Sequence, residues 1–336
     1  MAVNEPLPAV PASQLEIQTD EERWLVRSVW GRGAVGMIGG TPKSNKTWLG
    51  LELAFSVATG RPFLGRFAVE QPGRTVVYLA EHALPLVRAR IDALCAHHRV
   101  DIQKLDLYVI TAPVVRLDLA DHQEKLRQTV EHLRPRLMLL DPLVRLHRLD
   151  ENNATEMSGL LGYLRGLQRS LDVAVVVVHH VSKRARPQPG QALRGTSDLH
   201  AWTDCAAYLA WQNRQLHLIL EHRAAKPPAP MVLDLVCGAD GESVHLEVRG
   251  DVCVSEPSER PTLAGRLLKV MRAAEGPMTR TELRDQLKVQ NEKLGALLGT
   301  LEEQGRVRRT PQGWTLASRT TSPEGRSPER GELSLV

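Results

Sequence analysis

Aromatic residues are scarce: Phe, Trp and Tyr supply 4% of the 336 residues, so any core must be sought in aliphatic runs. Cysteine is limited to Cys95, Cys205, Cys237 and Cys253, with no Cys-x-x-Cys pair. That spacing excludes a zinc cage and a disulfide framework and reads as reduced thiols. The longest apolar runs, such as residues 174–178, fall far short of the roughly 20 residues that cross a bilayer. The first 14 residues lack the basic-then-apolar pattern of an export signal. Together these absences predict a cytoplasmic chain with no membrane partner.

A strong charge of either sign is missing too. The formal net charge of +4 is too small to demand a nucleic-acid partner by itself. Its location is more telling, because residues 258–317 hold eleven Lys/Arg against seven Asp/Glu, a surplus equal to that of the whole chain. What is present is the balance of an ordinary globular protein, 42% hydrophobic and 24% charged, long enough for an α/β core plus an accessory domain.

Residues 1–20 are acidic and interrupted by Pro6, Pro8 and Pro11, the pattern of a flexible lead-in. From Ala34 onward, short apolar runs at 34–38, 76–80, 107–110, 137–140 and 174–178 alternate with helical stretches, among them 48–59 and 154–170, the latter capped by Asn153. Such runs are parallel strands buried on both faces, with crossover helices between them. Runs at 205–211, 215–222, 231–236 and 244–248, separated by short turns, read as an antiparallel extension of that sheet. The main domain is therefore expected over 21–254 and a linker over 255–261. A second domain at 262–317, three helices followed by a hairpin, has the winged-helix arrangement. Residues 318–336 have almost nothing to bury and are expected to be disordered.

Between the first strand and its helix lies Gly40-Thr41-Pro42-Lys43-Ser44-Asn45-Lys46-Thr47, the context and nearly the pattern of a Walker A phosphate-binding loop. Asn45 stands where glycine is usual, and asparagine is among the non-glycine residues that best tolerate left-handed backbone. In this reading the loop amides cradle the phosphates of ATP, Lys46 bridges β and γ oxygens, and Thr47 binds Mg²⁺. The run 137–140 delivers Asp141 to the ligand-binding edge of the sheet, where it would order the Mg²⁺ shell; an Asp opening a turn before Pro142 is the competing reading. Glu81 ends the run 76–80 and is a general-base candidate for the attacking water, or an exposed cap of the next helix. The run ending at Val178 delivers His179 and His180, whose side chains must point to opposite faces; His180 is the choice for a γ-phosphate contact.

The ordered set resembles a known family. Gly39 to Ala54, then Ala58-Thr59-Gly60-Arg61-Pro62-Phe63-Leu64-Gly65, Tyr78-Leu79-Ala80-Glu81, Leu139-Leu140-Asp141-Pro142-Leu143, Val178-His179-His180-Val181-Ser182-Lys183 and Arg194-Gly195-Thr196-Ser197-Asp198 are similar to the RepA-like AAA-type ATPases of bacteria, phages and plasmids. The likeness spans about residues 34–236. It implies a RecA-like P-loop NTPase core in a homo-oligomer, most often a hexameric ring, with nucleotide held between subunits. It also implies an arginine supplied in trans to the γ-phosphate, for which Arg223 is the best match and Arg194 the second.

Residues 182–197 are long for a connection and rich in Lys183, Arg184, Arg186 and Arg194. In a ring this loop would face the channel and follow a DNA backbone, single- or double-stranded; a solvated surface loop is the alternative. In a winged helix, Arg306, Arg308 and Arg309 would flank the wing and hold phosphates, whereas Glu302 and Glu303 favour a protein partner instead. Three functions remain open on sequence: a ring-forming ATPase that moves or remodels DNA, such as a helicase; a nucleotide-gated regulatory assembly with little turnover; and a P-loop enzyme acting on a small molecule.

Overall fold

The computed structural model describes residues 7–180, 197–238, 241, 243–251, 263–274 and 276–317. The chain forms two compact units, Met1–Cys253 and Val254–Val336. In the first, β1 (Trp24–Val26) and β2 (Trp30–Gly31) make a small antiparallel pair. Then follow β3 (Val35–Gly40), α1 (Lys46–Thr59), β4 (Thr75–Leu79), α2 (Leu84–His98), β5 (Leu107–Val109), α3 (Ala120–Leu133), β6 (Leu137–Asp141), α4 (Ala154–Leu171), β7 (Ala174–His180), α5 (Ser197–Trp202), β8 (Cys205–Gln212), β9 (Gln215–His222), β10 (Met231–Cys237) and β11 (Val244–Asp251).

Among the described residues, nine strands form one sheet in the order β11-β10-β9-β8-β3-β7-β6-β4-β5. The strands from β8 to β5 are parallel, and those from β8 to β11 are antiparallel. The apolar runs lack hydrophobic alternation because the parallel part is covered twice. Ile38, Val77, Leu79, Leu137, Leu139, Val176 and Val178 pack with α1 and α2. Their neighbours Met37, Val76, Tyr78, Met138, Leu140, Val175 and Val177 pack with α3, α4 and α5. Asn153 caps α4 as expected, its side chain accepting from the Thr155 and Glu156 amides.

The reading of residues 205–211 as antiparallel needs correction. β8 runs parallel to β3, with Gly36 opposite Cys205 and Gly40 opposite Leu209, and the antiparallel part begins only at β9. A parallel neighbour needs a crossover connection, and α5 immediately precedes β8. A run of apolar residues carries no record of strand direction. The close β3–β8 pairing explains Gly36, where a Cβ would overlap the Cys205 carbonyl.

The second unit comprises α6 (Leu263–Ala273), α7 (Arg280–Leu287), α8 (Asn291–Glu303), β12 (Val307–Thr310) and β13 (Gly313–Leu316), the last two paired antiparallel. Helical spacing on the three helices closes a core of Leu267, Met271, Leu283, Leu287, Leu294, Leu298 and Leu301. A capping box starts α7, with the Thr279 side chain accepting from the Glu282 amide and the Glu282 carboxylate accepting from the Thr279 amide.

Thiol reactivity offers a check on the larger unit. Burial pushes the Cys205 thiol up to about 12, and also raises Cys95, whereas Cys237 is exposed. Because the thiolate is the nucleophile, Cys237 is expected to be alkylated at pH 7.5 while Cys95 and Cys205 react only after unfolding. Peptide mass mapping after timed alkylation reads this out, and fast labelling of Cys205 in the folded chain would contradict its packing against β3.

Candidate functional site

The loop between β3 and α1 is shaped by its own polar groups. Lys43 and Asn45 both take left-handed backbone, at φ 63° and 62°. Asn45 thus occupies the conformation that glycine adopts in such loops, and it leads directly into the first turn of α1. The buried Ser44 hydroxyl donates to the Thr41 carbonyl at 2.8 Å, and the Lys46 ammonium donates to the same oxygen at 2.8 Å. Gly40 permits this closure, since a Cβ there would lie 2.5 Å from the Ser44 hydroxyl and 2.8 Å from the Leu209 carbonyl oxygen.

Strand parity decides what faces this loop. Asp141 continues the Leu137–Leu139 side of β6 and His180 continues the Val176–Val178 side of β7, both on the face covered by α1. His179 turns to the other face, where its Nδ1 lies 3.6 Å from Glu151. The Thr47 hydroxyl is close enough to the Asp141 carboxylate to favour its charged form. Burial pushes the Asp141 carboxyl up to about 6, a rise moderated by the nearby Thr47 hydroxyl and by the charge of Lys46. Burial likewise lowers Lys46, and the charges of Asp141 and Glu81 oppose that.

Glu81 lies on the exposed turn after β4, its carboxylate accepting from Arg145 Nε at 2.7 Å. Arg145 follows Asp141 on the short 3-10 helix Leu143–Arg145. Sequence reasoning missed it because the pair spans 64 positions and belongs to no motif. It also missed Arg90 on α2, whose guanidinium carbon lies 5.5 Å from the centre of the Trp48 ring and whose charge acts on Asp141.

The other expected residues lie elsewhere. Arg223 is at the opposite edge of the sheet, because β9 runs antiparallel and places His222 beside Cys205. There its guanidinium bonds the Ala201 carbonyl and lies 3.6 Å from Asp204. Within one chain it is not brought to Lys46. Arg306, Arg308 and Arg309 are exposed at and beside β12 in the second unit. Lys183, Arg184, Arg186 and Arg194 fall outside the described residues.

The oxygen donors suit a hard cation. Asp141 is buried, and its Oδ2 has no hydrogen-bond partner among the described residues. With the Thr47 hydroxyl it offers two oxygens, which suits Mg²⁺, an ion that keeps most of its water and shares it with phosphate. No group of three or more His, Cys, Asp or Glu among the described residues could cage a metal unaided. No helix among them is long and apolar enough to cross a membrane.

Among the known structures that this chain resembles are two distant ones. A KaiC-like protein from Pyrococcus horikoshii OT3 aligns over 66% of this chain and 93% of its own, with TM-score 0.46 and 11% identity. The RadB recombinase aligns over 66% of this chain and 91% of its own, with TM-score 0.46 and 16% identity. The stronger match is in sequence: residues 3–186, more than half of the chain, fit the description of an AAA domain, and the chain belongs to that family of P-loop proteins.

Proposed function

We propose that this chain is a RecA-like ATPase of the RepA-like type that assembles into a ring and acts on DNA. One observation carries the reading: at one edge of the sheet, a loop held in left-handed backbone by Lys43 and Asn45 sets Lys46 and Thr47 beside the buried Asp141. The loop amides and the start of α1 would take the phosphates, and Lys46 would neutralise charge between the β and γ oxygens. Thr47 and Asp141 would hold Mg²⁺, which neutralises phosphate charge when bound. Glu81, oriented by Arg145, would accept a proton from the attacking water, and His180 would sense the γ-phosphate from β7. Arg223, remote from its own loop, would serve a neighbouring subunit, which would make turnover depend on assembly.

DNA would be followed by Lys183, Arg184, Arg186 and Arg194 in the ring channel. The second unit would act as a winged helix, with Arg306, Arg308 and Arg309 on phosphates. A second reading, a nucleotide-gated assembly with little turnover, is favoured by the Glu81–Arg145 ion pair, which keeps the base candidate occupied.

The test is phosphate release with and without single- and double-stranded DNA, with particle mass measured in nucleotide. DNA-stimulated turnover in a multimer is expected. Arg223→Ala should keep ATP affinity but lower turnover in the assembled form by roughly 10³-fold, the scale of an arginine supplied in trans. Nucleotide-dependent assembly with DNA-insensitive, near-zero turnover selects the gated reading, and a monomer under all conditions sinks both.

A further inference from the structure

Arg90 has a side chain that its own fold does not explain. It sits on the inner side of α2, with its guanidinium over the ring of Trp48, the residue immediately after Thr47. A cation lying on an aromatic face is held in place, but its N–H edge is left to find acceptors. One of its terminal nitrogens is enclosed and has no hydrogen-bond partner among the described residues. Leaving a charged donor enclosed and unpaired costs several kcal/mol, so such a group is retained where an anion comes to meet it.

The surroundings point to which anion. Arg90 feels burial, which lowers it, and the charge of Asp141, which opposes that loss. His82, on the turn that leads into α2, is lowered by burial and by the charge of Arg90, and its Nδ1 is likewise enclosed with no hydrogen-bond partner among the described residues. Glu81 accepts from Arg145, and Asp141, whose Oδ2 is unpartnered, lends Arg90 its charge with no hydrogen bond between them among the described residues. Asp141, whose charge acts on both Arg90 and Lys46, marks where the far end of a triphosphate would lie.

We infer that Arg90 is a second cation of the nucleotide site, acting within its own subunit, and that its free guanidinium edge is the donor for the terminal phosphate of ATP. This rests on the nucleotide reading above and adds selectivity to it. Lys46 would serve any nucleotide with a β-phosphate. Arg90 would reward the γ-phosphate, with Trp48 fixing the plane of its donors. A charge-assisted hydrogen bond of this kind, about 1.5–3 kcal/mol, corresponds to roughly a 10- to 100-fold preference.

The experiment is a titration of fluorescent ATP and ADP analogues into the full chain and its Arg90→Ala, Arg90→Lys and Lys46→Ala variants, with far-ultraviolet circular dichroism as the folding control. Arg90→Ala is expected to lose roughly 10- to 100-fold in ATP affinity while ADP affinity changes by less than about 3-fold. Arg90→Lys, which keeps the charge but loses the planar fork, should fall between the two. If Arg90→Ala does not fold, the Lys variant still tests the point through its ATP-to-ADP ratio. An unchanged ratio, whether both nucleotides weaken together or neither does, overturns the role of Arg90. Loss of binding in Lys46→Ala beside an unchanged ratio in the Arg90 variants leaves the nucleotide site standing and removes Arg90 from it. Failure of the unaltered chain to bind either nucleotide removes both.

Discussion

Lys46→Ala is expected to abolish measurable ATP turnover and weaken ATP binding by about two to three orders of magnitude, while the chain stays folded. The ammonium is buried against the Thr41 carbonyl at 2.8 Å, so it is already positioned before a phosphate arrives and little ordering cost remains. Removing one partner from a buried charge pair typically costs about 3–5 kcal/mol, because the other charge is left enclosed. Here the stranded charge would be the triphosphate itself. A second consequence falls on Asp141, which loses the cation that favours its ionised form. Binding should therefore become more sensitive to acid as well as weaker. Fluorescent-nucleotide titration and phosphate release measure both effects. A folded variant with unaltered affinity and turnover would show that phosphate is held somewhere other than the β3–α1 loop.

The parallel core could be read from sequence because a strand covered on both faces has to be apolar throughout, and few other arrangements demand five such runs. The loop was legible for a similar reason. Its backbone needs left-handed residues, and an asparagine before the lysine is one of the few side chains that meets the need; the structure places Asn45 there at φ 62°. Direction and pairing were not legible. Residues 205–212 look the same whether β8 enters from the top or the bottom of the sheet, and only the length of the preceding connection separates the cases. β1 and β2, three and two residues long, are too short to show any period, although Trp24 and Trp30 within them are buried. Arg90 and Arg145 stayed hidden because their partners, Trp48 and Glu81, are set by helix packing and a loop crossing, neither of which leaves a local pattern. That His180 lies on the α1 face and His179 on the other follows from parity, but parity counted from a register that the structure supplies.

Asp141→Asn should separate stability from activity. The carboxyl is buried and pushed up to about 6, with burial the main cause. In the unfolded chain an aspartic acid loses its proton near 3.9. Below about pH 4 both states are protonated and the residue has no effect on folding. As pH rises from 4 to 6 the unfolded state releases its proton first, stability falls, and above 6 the full penalty persists. At about 1.4 kcal/mol for each pH unit, that penalty is on the order of 3 kcal/mol at pH 7.5. Asparagine keeps an oxygen for the Thr47 hydroxyl and carries no charge, so the variant is expected to be more stable than the unaltered chain by about 1–3 kcal/mol at pH 7.5, with the difference shrinking toward pH 4. It should also lose Mg²⁺-dependent turnover, and the thermal shift that Mg²⁺ and nucleotide give the unaltered chain should disappear. Thermal melts at pH 4.5 and 7.5, with and without Mg²⁺ and nucleotide, measure all of this. A variant less stable at pH 7.5, or one whose melting temperature still rises with Mg²⁺ and ATP as far as that of the unaltered chain, would mean that the buried carboxylate is structural and the cation is held by other oxygens.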